Sequence, residues 1–83
     1  DLGKARELYE YCLAREPGLV AAHRGLIGLA QFTNDEAAAG QAYRRAIEAT
    51  GQRELLLEFA LYLQARARPR EAIEVYQDAL VRF

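Results

Sequence analysis

One short pattern occurs three times along the chain and limits its fold more than any other feature. Ala5, Tyr9 and Cys12 recur as Ala39, Tyr43 and Ala46, and again at nearly the same interval as Ala72, Tyr76 and Ala79. The aliphatic neighbours Leu13, Ile47 and Leu80 keep the same step. Steps of four and then three place these side chains on one face of an α-helix. Small residues at two points on that face let a neighbouring helix approach closely, and the tyrosine ring fills the space between turns. A period of this length marks a unit that cannot bury its apolar face alone and packs against copies of itself.

The punctuation places five helices, near Leu2–Glu16, Leu19–Phe32, Asp35–Thr50, Arg53–Ala67 and Pro69–Arg82. Pro17 and Gly18 close the first, because proline removes a donor and pushes the residue before it out of the helical region. Thr33, Asn34 and Asp35 separate the second from the third, with Asn34 suited to a left-handed conformation and Asp35 to capping the next helix. Gly51 ends the third, and Pro69 suits the first turn of the fifth, where its missing N–H is no loss. No stretch alternates with period two for long enough to make a strand. The expected class is all-α.

Two antiparallel helices in each unit of roughly 34 residues resemble the tetratricopeptide repeat family. In its second helix that family shows a small residue, an aromatic four on, then Ala and often Pro; here these are Ala5, Tyr9, Cys12 and Pro17, then Ala39, Tyr43, Ala46 and Gly51, then Ala72, Tyr76 and Ala79. In the first helix the counterparts are Leu56, Phe59, Ala60 and Leu63. The preceding unit offers two registers, His23, Leu26, Ile27 and Ala30, or one residue later with Ile27 and Gly28. The resemblance implies an α-solenoid of about two and a half repeats: residues 1–17 as the second helix of one, 18–51 and 52–83 as full repeats. Half-a-TPR and pentatricopeptide repeats, which bind RNA, are similar helical relatives and supply the rival reading.

Charge bears on that rival. Lys plus Arg number 11 and Asp plus Glu 12, a net charge of −1, so the chain lacks the broad positive field that drives phosphate binding. No nucleic-acid partner is expected. The apolar run Leu55 to Leu63 is broken by Glu58 and falls far short of the ~20 residues that span a bilayer, so no insertion of this segment into a membrane is expected. There is no Ser, and Cys12 and His23 are each the sole residue of their type. A serine nucleophile is therefore absent, a Cys/His zinc site cannot be assembled within one chain, and an internal disulfide cannot form. No catalytic residue, metal or cofactor is expected.

Individual residues carry a functional and a packing reading side by side. His23 is a general base or pH-sensitive group, or a core histidine. Cys12 is a reactive thiol, or a small buried hydrophobe. Glu54 with Glu58, and Glu74 with Asp78, are paired carboxylates, or solvated helix faces. Arg6 with Glu10, Arg44 with Glu48, Arg70 with Glu74 and Asp78 with Arg82 sit at spacings that favour ion pairs, each contributing ~0.2–0.5 kcal/mol. Arg66, Arg68 and Arg70 form a basic cluster at the last turn, suited to a phosphate or an acidic loop, or simply solvated.

The fourth helix is apolar almost all round, so one stripe does not account for it. Leu57 and Leu61 lie on a face apart from Leu56, Phe59, Ala60 and Leu63. They line a ligand groove, or they pack on a neighbouring helix. In tetratricopeptide proteins the first helices line a concave groove, and the resemblance places Arg24, Gly28, Gln31, Leu57, Leu61 and Gln64 there. Gly28 would leave a notch. Leucines stand where a carboxylate-binding version of the groove carries cations, so a carboxylate clamp is not expected.

The expected function is a non-catalytic scaffold that binds a helix, loop or extended segment of a partner protein. Ala/Arg/Leu-rich repeats of this kind are similar to the scaffolds of bacterial exopolysaccharide export and outer-membrane secretion, which implies a periplasmic setting; a cytoplasmic co-chaperone scaffold is the alternative. The chain begins at Asp1 rather than Met and reads as an excerpt. Its first helix would then lack a partner, leaving Leu8, Tyr11 and Leu13 open to fraying or to self-association through that end.

Overall fold

Asp1 opens the first helix, its carboxylate accepting a hydrogen bond from the Gly3 N–H at 2.8 Å. A computed structural model of the chain describes residues 1–82. The helices are α1 (Leu2–Arg15), α2 (Val20–Phe32), α3 (Glu36–Thr50), α4 (Arg53–Ala65) and α5 (Pro69–Arg82), with no strand among the described residues. Helix α1 stops where Glu16, immediately before Pro17, swings to φ −138° while its N–H donates to the Cys12 carbonyl at 2.8 Å. Asp35 caps α3 as expected, accepting from the Ala38 N–H at 3.0 Å. Gly51 closes α3 in the left-handed region, at φ 64°.

The links α2–α3 and α4–α5 are built alike. Asn34 and Ala67 hold equivalent places in them, and both sit at φ 58°. In the first link the Asn34 N–H donates to the Gln31 carbonyl and the Asp35 N–H to the Ala30 carbonyl, at 3.0 and 2.9 Å. In the second, Ala67 donates to Gln64 and Arg68 to Leu63, at 3.1 and 2.9 Å. These are the paired bonds of a Schellman C-cap, which satisfy carbonyls that the helix end leaves without partners. They also correct one expected boundary. A left-handed Ala67 cannot continue the helix, so α4 ends at Ala65 instead of running to Ala67. Of the remaining ends, three differ from expectation by a single residue, within the fraying of any helix terminus, and the others coincide with it.

The chain divides into two compact units, Asp1–Gly51 and Gln52–Phe83. In the first, α1 packs on α2 and α2 on α3. Leu13, Ala22, His23, Ile27, Ala30, Ala39, Tyr43, Ala46 and Ile47 are buried. Leu13 therefore does not lie open at the end of α1; only Leu8 and Tyr11 of the three are exposed. In the second unit α4 packs on α5, and Leu55, Leu56, Phe59, Ala60, Leu63, Ala72 and Val75 are buried. Burying a leucine or phenylalanine side chain contributes about 1.5–3 kcal/mol, so these side chains supply most of what opposes chain entropy.

Burial also settles the register of α2. His23, Ile27 and Ala30 are buried and Leu26 is half-buried, whereas Gly28 is exposed. The buried positions Ala22, His23, Ile27 and Ala30 stand one repeat before Leu55, Leu56, Ala60 and Leu63, which are buried too. The later register, with Gly28 inward, does not occur.

Candidate functional site

Each hairpin carries one polar bond at the same place. The Gln31 amide donates to the Tyr43 hydroxyl at 3.2 Å, and the Tyr76 hydroxyl donates to the Gln64 amide oxygen at 3.3 Å. In both pairs the glutamine precedes the tyrosine by 12 residues, across the Schellman turn. The turn brings the end of the first helix opposite the middle of the second, and the bond fixes the ring that occupies the space between them. Gln31 and Gln64, expected as groove residues, thus also hold two tyrosines of the repeated pattern. The signal is present in the sequence, as a Gln at one fixed distance before each of these tyrosines.

The other expected binding residues lie on the solvent side of their helices. Arg24 and Gly28 are exposed on α2, and a Cβ placed at Gly28 would meet no atom within 4 Å, consistent with a notch there. On α4, Leu57 and Leu61 are 41% and 58% exposed although the opposite side of the helix is buried. Leu57 also borders an open cleft of about 350 Å³ with Arg53, Tyr76, Ala79 and Leu80.

A glycine with no signal in the sequence pattern makes the closest approach. A Cβ on Gly25 would run into the Tyr9 ring, so the ring lies directly on the α2 backbone. The first unit also has an open cleft of about 330 Å³, with Leu26, Ala30, Ala38 and Ala42 in its lining and Arg6, Glu10, Asp35, Gln41 and Arg45 as its polar members. Across it Arg45 grips Glu10 as a fork, with Nη1 donating to Oε2 at 3.0 Å and Nη2 lying 2.8 Å from Oε1. That hydrogen bond, with Arg45's charge and a smaller effect from Arg6, holds the Glu10 carboxyl below its ordinary value despite the opposing effect of burial. The partner expected from local spacing, Arg6, acts only through its field. A side chain 35 residues away cannot be found from helical spacing.

Among the remaining candidates, His23, Arg66, Arg68, Asp78 and Arg82 have contacts within the chain. His23 is 1% exposed, with Nε2 2.8 Å from the Pro17 carbonyl. A carbonyl only accepts, so Nε2 carries a proton and donates. Nδ1 is buried without a partner. Cys12 is half-buried. Within the basic cluster, Arg68 pairs with Glu71 at 3.3 Å and Arg66 lies 5.4 Å over the Tyr62 ring. Asp78 and Arg82 pair at 3.1 Å, at the spacing expected. Among the described residues no three of His, Cys, Asp or Glu gather as metal ligands, and no helix is long and apolar enough to cross a membrane. No protein-family model, curated protein or solved structure matches the chain.

Proposed function

We propose that the chain is a non-catalytic scaffold of tetratricopeptide type, whose hairpins stack as an α-solenoid and bind a partner protein through the exposed sides of their first helices. The observation that carries this reading is the pair Leu57 and Leu61, 41% and 58% exposed on a helix whose other side is fully occupied. Two leucines one turn apart in water favour a partner that buries them, and a helix, loop or extended segment with apolar side chains at matching spacing does so. Gln64, Arg24 and Gln31 supply the polar rim, and Gly28 leaves room for a side chain of the partner. The repeated turns and the repeated Gln–Tyr bonds support stacking, because each hairpin is the same unit with the same faces. The proposed setting is a larger bacterial assembly such as exopolysaccharide export or secretion, in the periplasm, and this rests on the sequence resemblance alone.

Leu61→Glu tests the reading. An exposed helical site accepts Glu without loss of fold, which circular dichroism checks. Proteins retained by the immobilised chain from a bacterial lysate are compared with those retained by the variant. Loss of a specific band with unchanged helicity is the expected result; equal capture by both chains rejects the α4 surface.

A further inference from the structure

The Glu10–Arg45 fork reaches across a gap in the first unit. No Cα of α1 lies within 8 Å of a Cα of α3, so two long side chains are needed to bridge the open cleft of about 330 Å³ between them. The apolar part of its lining is Leu26 and Ala30 of α2 with Ala38 and Ala42 of α3. Both members of the fork are nearly half exposed, so water and other anions compete for the bond. Arg6 also lines the cleft, one turn before Glu10 on α1, and its side chain makes no hydrogen bond or ion pair among the described residues. Glu10 thus has a second cation within reach on its own helix. Asp35, the other carboxylate of the lining, is engaged at the α3 N-terminus by the Ala38 N–H. The cleft is left with one arginine that no carboxylate occupies.

We propose that this cleft binds a small monocarboxylic acid with a short apolar chain, and that Glu10 is a strap holding the ligand's place on Arg45. The fork shows the carboxylate position filled by a group of the same chemistry, with two guanidinium nitrogens facing two carboxylate oxygens. A ligand takes that position when Glu10 turns to Arg6, and two arginines then face two carboxylates. The chain of the acid lies along Leu26, Ala30, Ala38 and Ala42, where its burial is favourable. A second charge on the ligand would fall on these apolar side chains, which selects a monoacid over a diacid. The volume stands at the lower end of the ~300–1,000 Å³ typical of ligand sites, the size for a chain of a few carbons. The site shares no residue with the α4 surface of the scaffold reading and is tested independently of it.

The probe is hexanoate, titrated at constant ionic strength into the isotopically labelled 83-residue chain and its Glu10→Gln variant. Backbone amide and arginine Nε–H shifts are followed. Saturable shifts centred on Arg6, Leu26, Ala42 and Arg45 are expected. Affinity rises roughly two- to fivefold in Glu10→Gln, the factor that an exposed ion pair represents, because the strap no longer competes. Hexanamide, which has the chain without the charge, and acetate, which has the charge without the chain, bind at least about tenfold more weakly. Arg45→Gln added to Glu10→Gln abolishes saturation while circular dichroism shows unchanged helicity. The strengthening in Glu10→Gln is the decisive readout, since a fork that only joins α1 to α3 gives no gain in binding when it is cut. No saturable shift in Glu10→Gln, or an affinity there equal to or below the parent's, overturns the proposal. So does equal binding of hexanamide or acetate, or binding that survives Arg45→Gln.

Discussion

Two glycines three residues apart on α2 meet opposite surroundings, and a tyrosine ring makes the difference. At a helix interior, Gly→Ala gains about 0.5–1 kcal/mol through the unfolded chain and helix propensity. Gly28 has open space where a Cβ would go, so Gly28→Ala keeps the whole gain. Gly25→Ala drives its Cβ into the Tyr9 ring, which is half-buried and must swing outward, giving up its packing on α2. Urea unfolding is therefore expected to show Gly28→Ala more stable than the parent and Gly25→Ala no more stable. In a Tyr9→Ala background the Gly25→Ala gain returns. Equal shifts for the two single substitutions contradict the contact. The sequence directs attention to Gly28 because α2 carries His23 where its counterpart carries Leu56, leaving the helix rotation open by one residue. Burial of His23 closes that choice, and nothing in the local spelling predicts that the Tyr9 ring, on a different helix, needs Gly25.

At the level of elements, the turns separate what the sequence states from what it conceals. Asn34 is a residue that tolerates the left-handed region, and the break there is legible. Ala67 occupies the same conformation with no such signal, so a reading of the sequence carries the helix through it; only Pro69 points to an ending nearby. An alanine held at φ 58° carries strain that glycine lacks. Ala67→Gly is expected to raise stability by about 0.5–1 kcal/mol, partly offset by the greater freedom of glycine in the unfolded chain. A lower urea midpoint for that variant means that the left-handed turn is absent in solution. The Glu10–Arg45 fork is the other device at this scale, joining α1 to α3. Both side chains are nearly half exposed, so solvent screening leaves it about 0.2–1 kcal/mol. The folded-state pKa of Glu10 is lowered, so this contribution is fully present above the ordinary carboxylate value of 4.5 and is lost as pH falls through the lower, folded value. Glu10→Gln is expected to unfold at slightly lower urea at pH 7. Its deficit should vanish in acid below the folded value, and fade in high salt. A deficit that persists unchanged in strong acid assigns the effect to packing instead of charge.

For the whole molecule, charge separates the proposed protein-binding reading from the RNA-binding one. A protein that neutralises about 6–10 phosphates loses roughly a thousandfold to a hundred-thousandfold in affinity between about 50 and 200 mM salt. The net charge here is −1, and three of the cations, Arg45, Arg68 and Arg82, already face carboxylates of the chain. What the exposed side of α4 offers instead is Leu57 and Leu61, whose burial releases no counterions. A protein partner held on this surface as proposed is expected to bind with less than about tenfold change over that salt range, because only screened rim charges respond to salt. Random single-stranded RNA is expected to bind weakly and to be released steeply over the same range. Capture that disappears with ribonuclease and falls steeply with salt reverses the assignment, and the arginines at the exposed surface then become the site in place of the leucines.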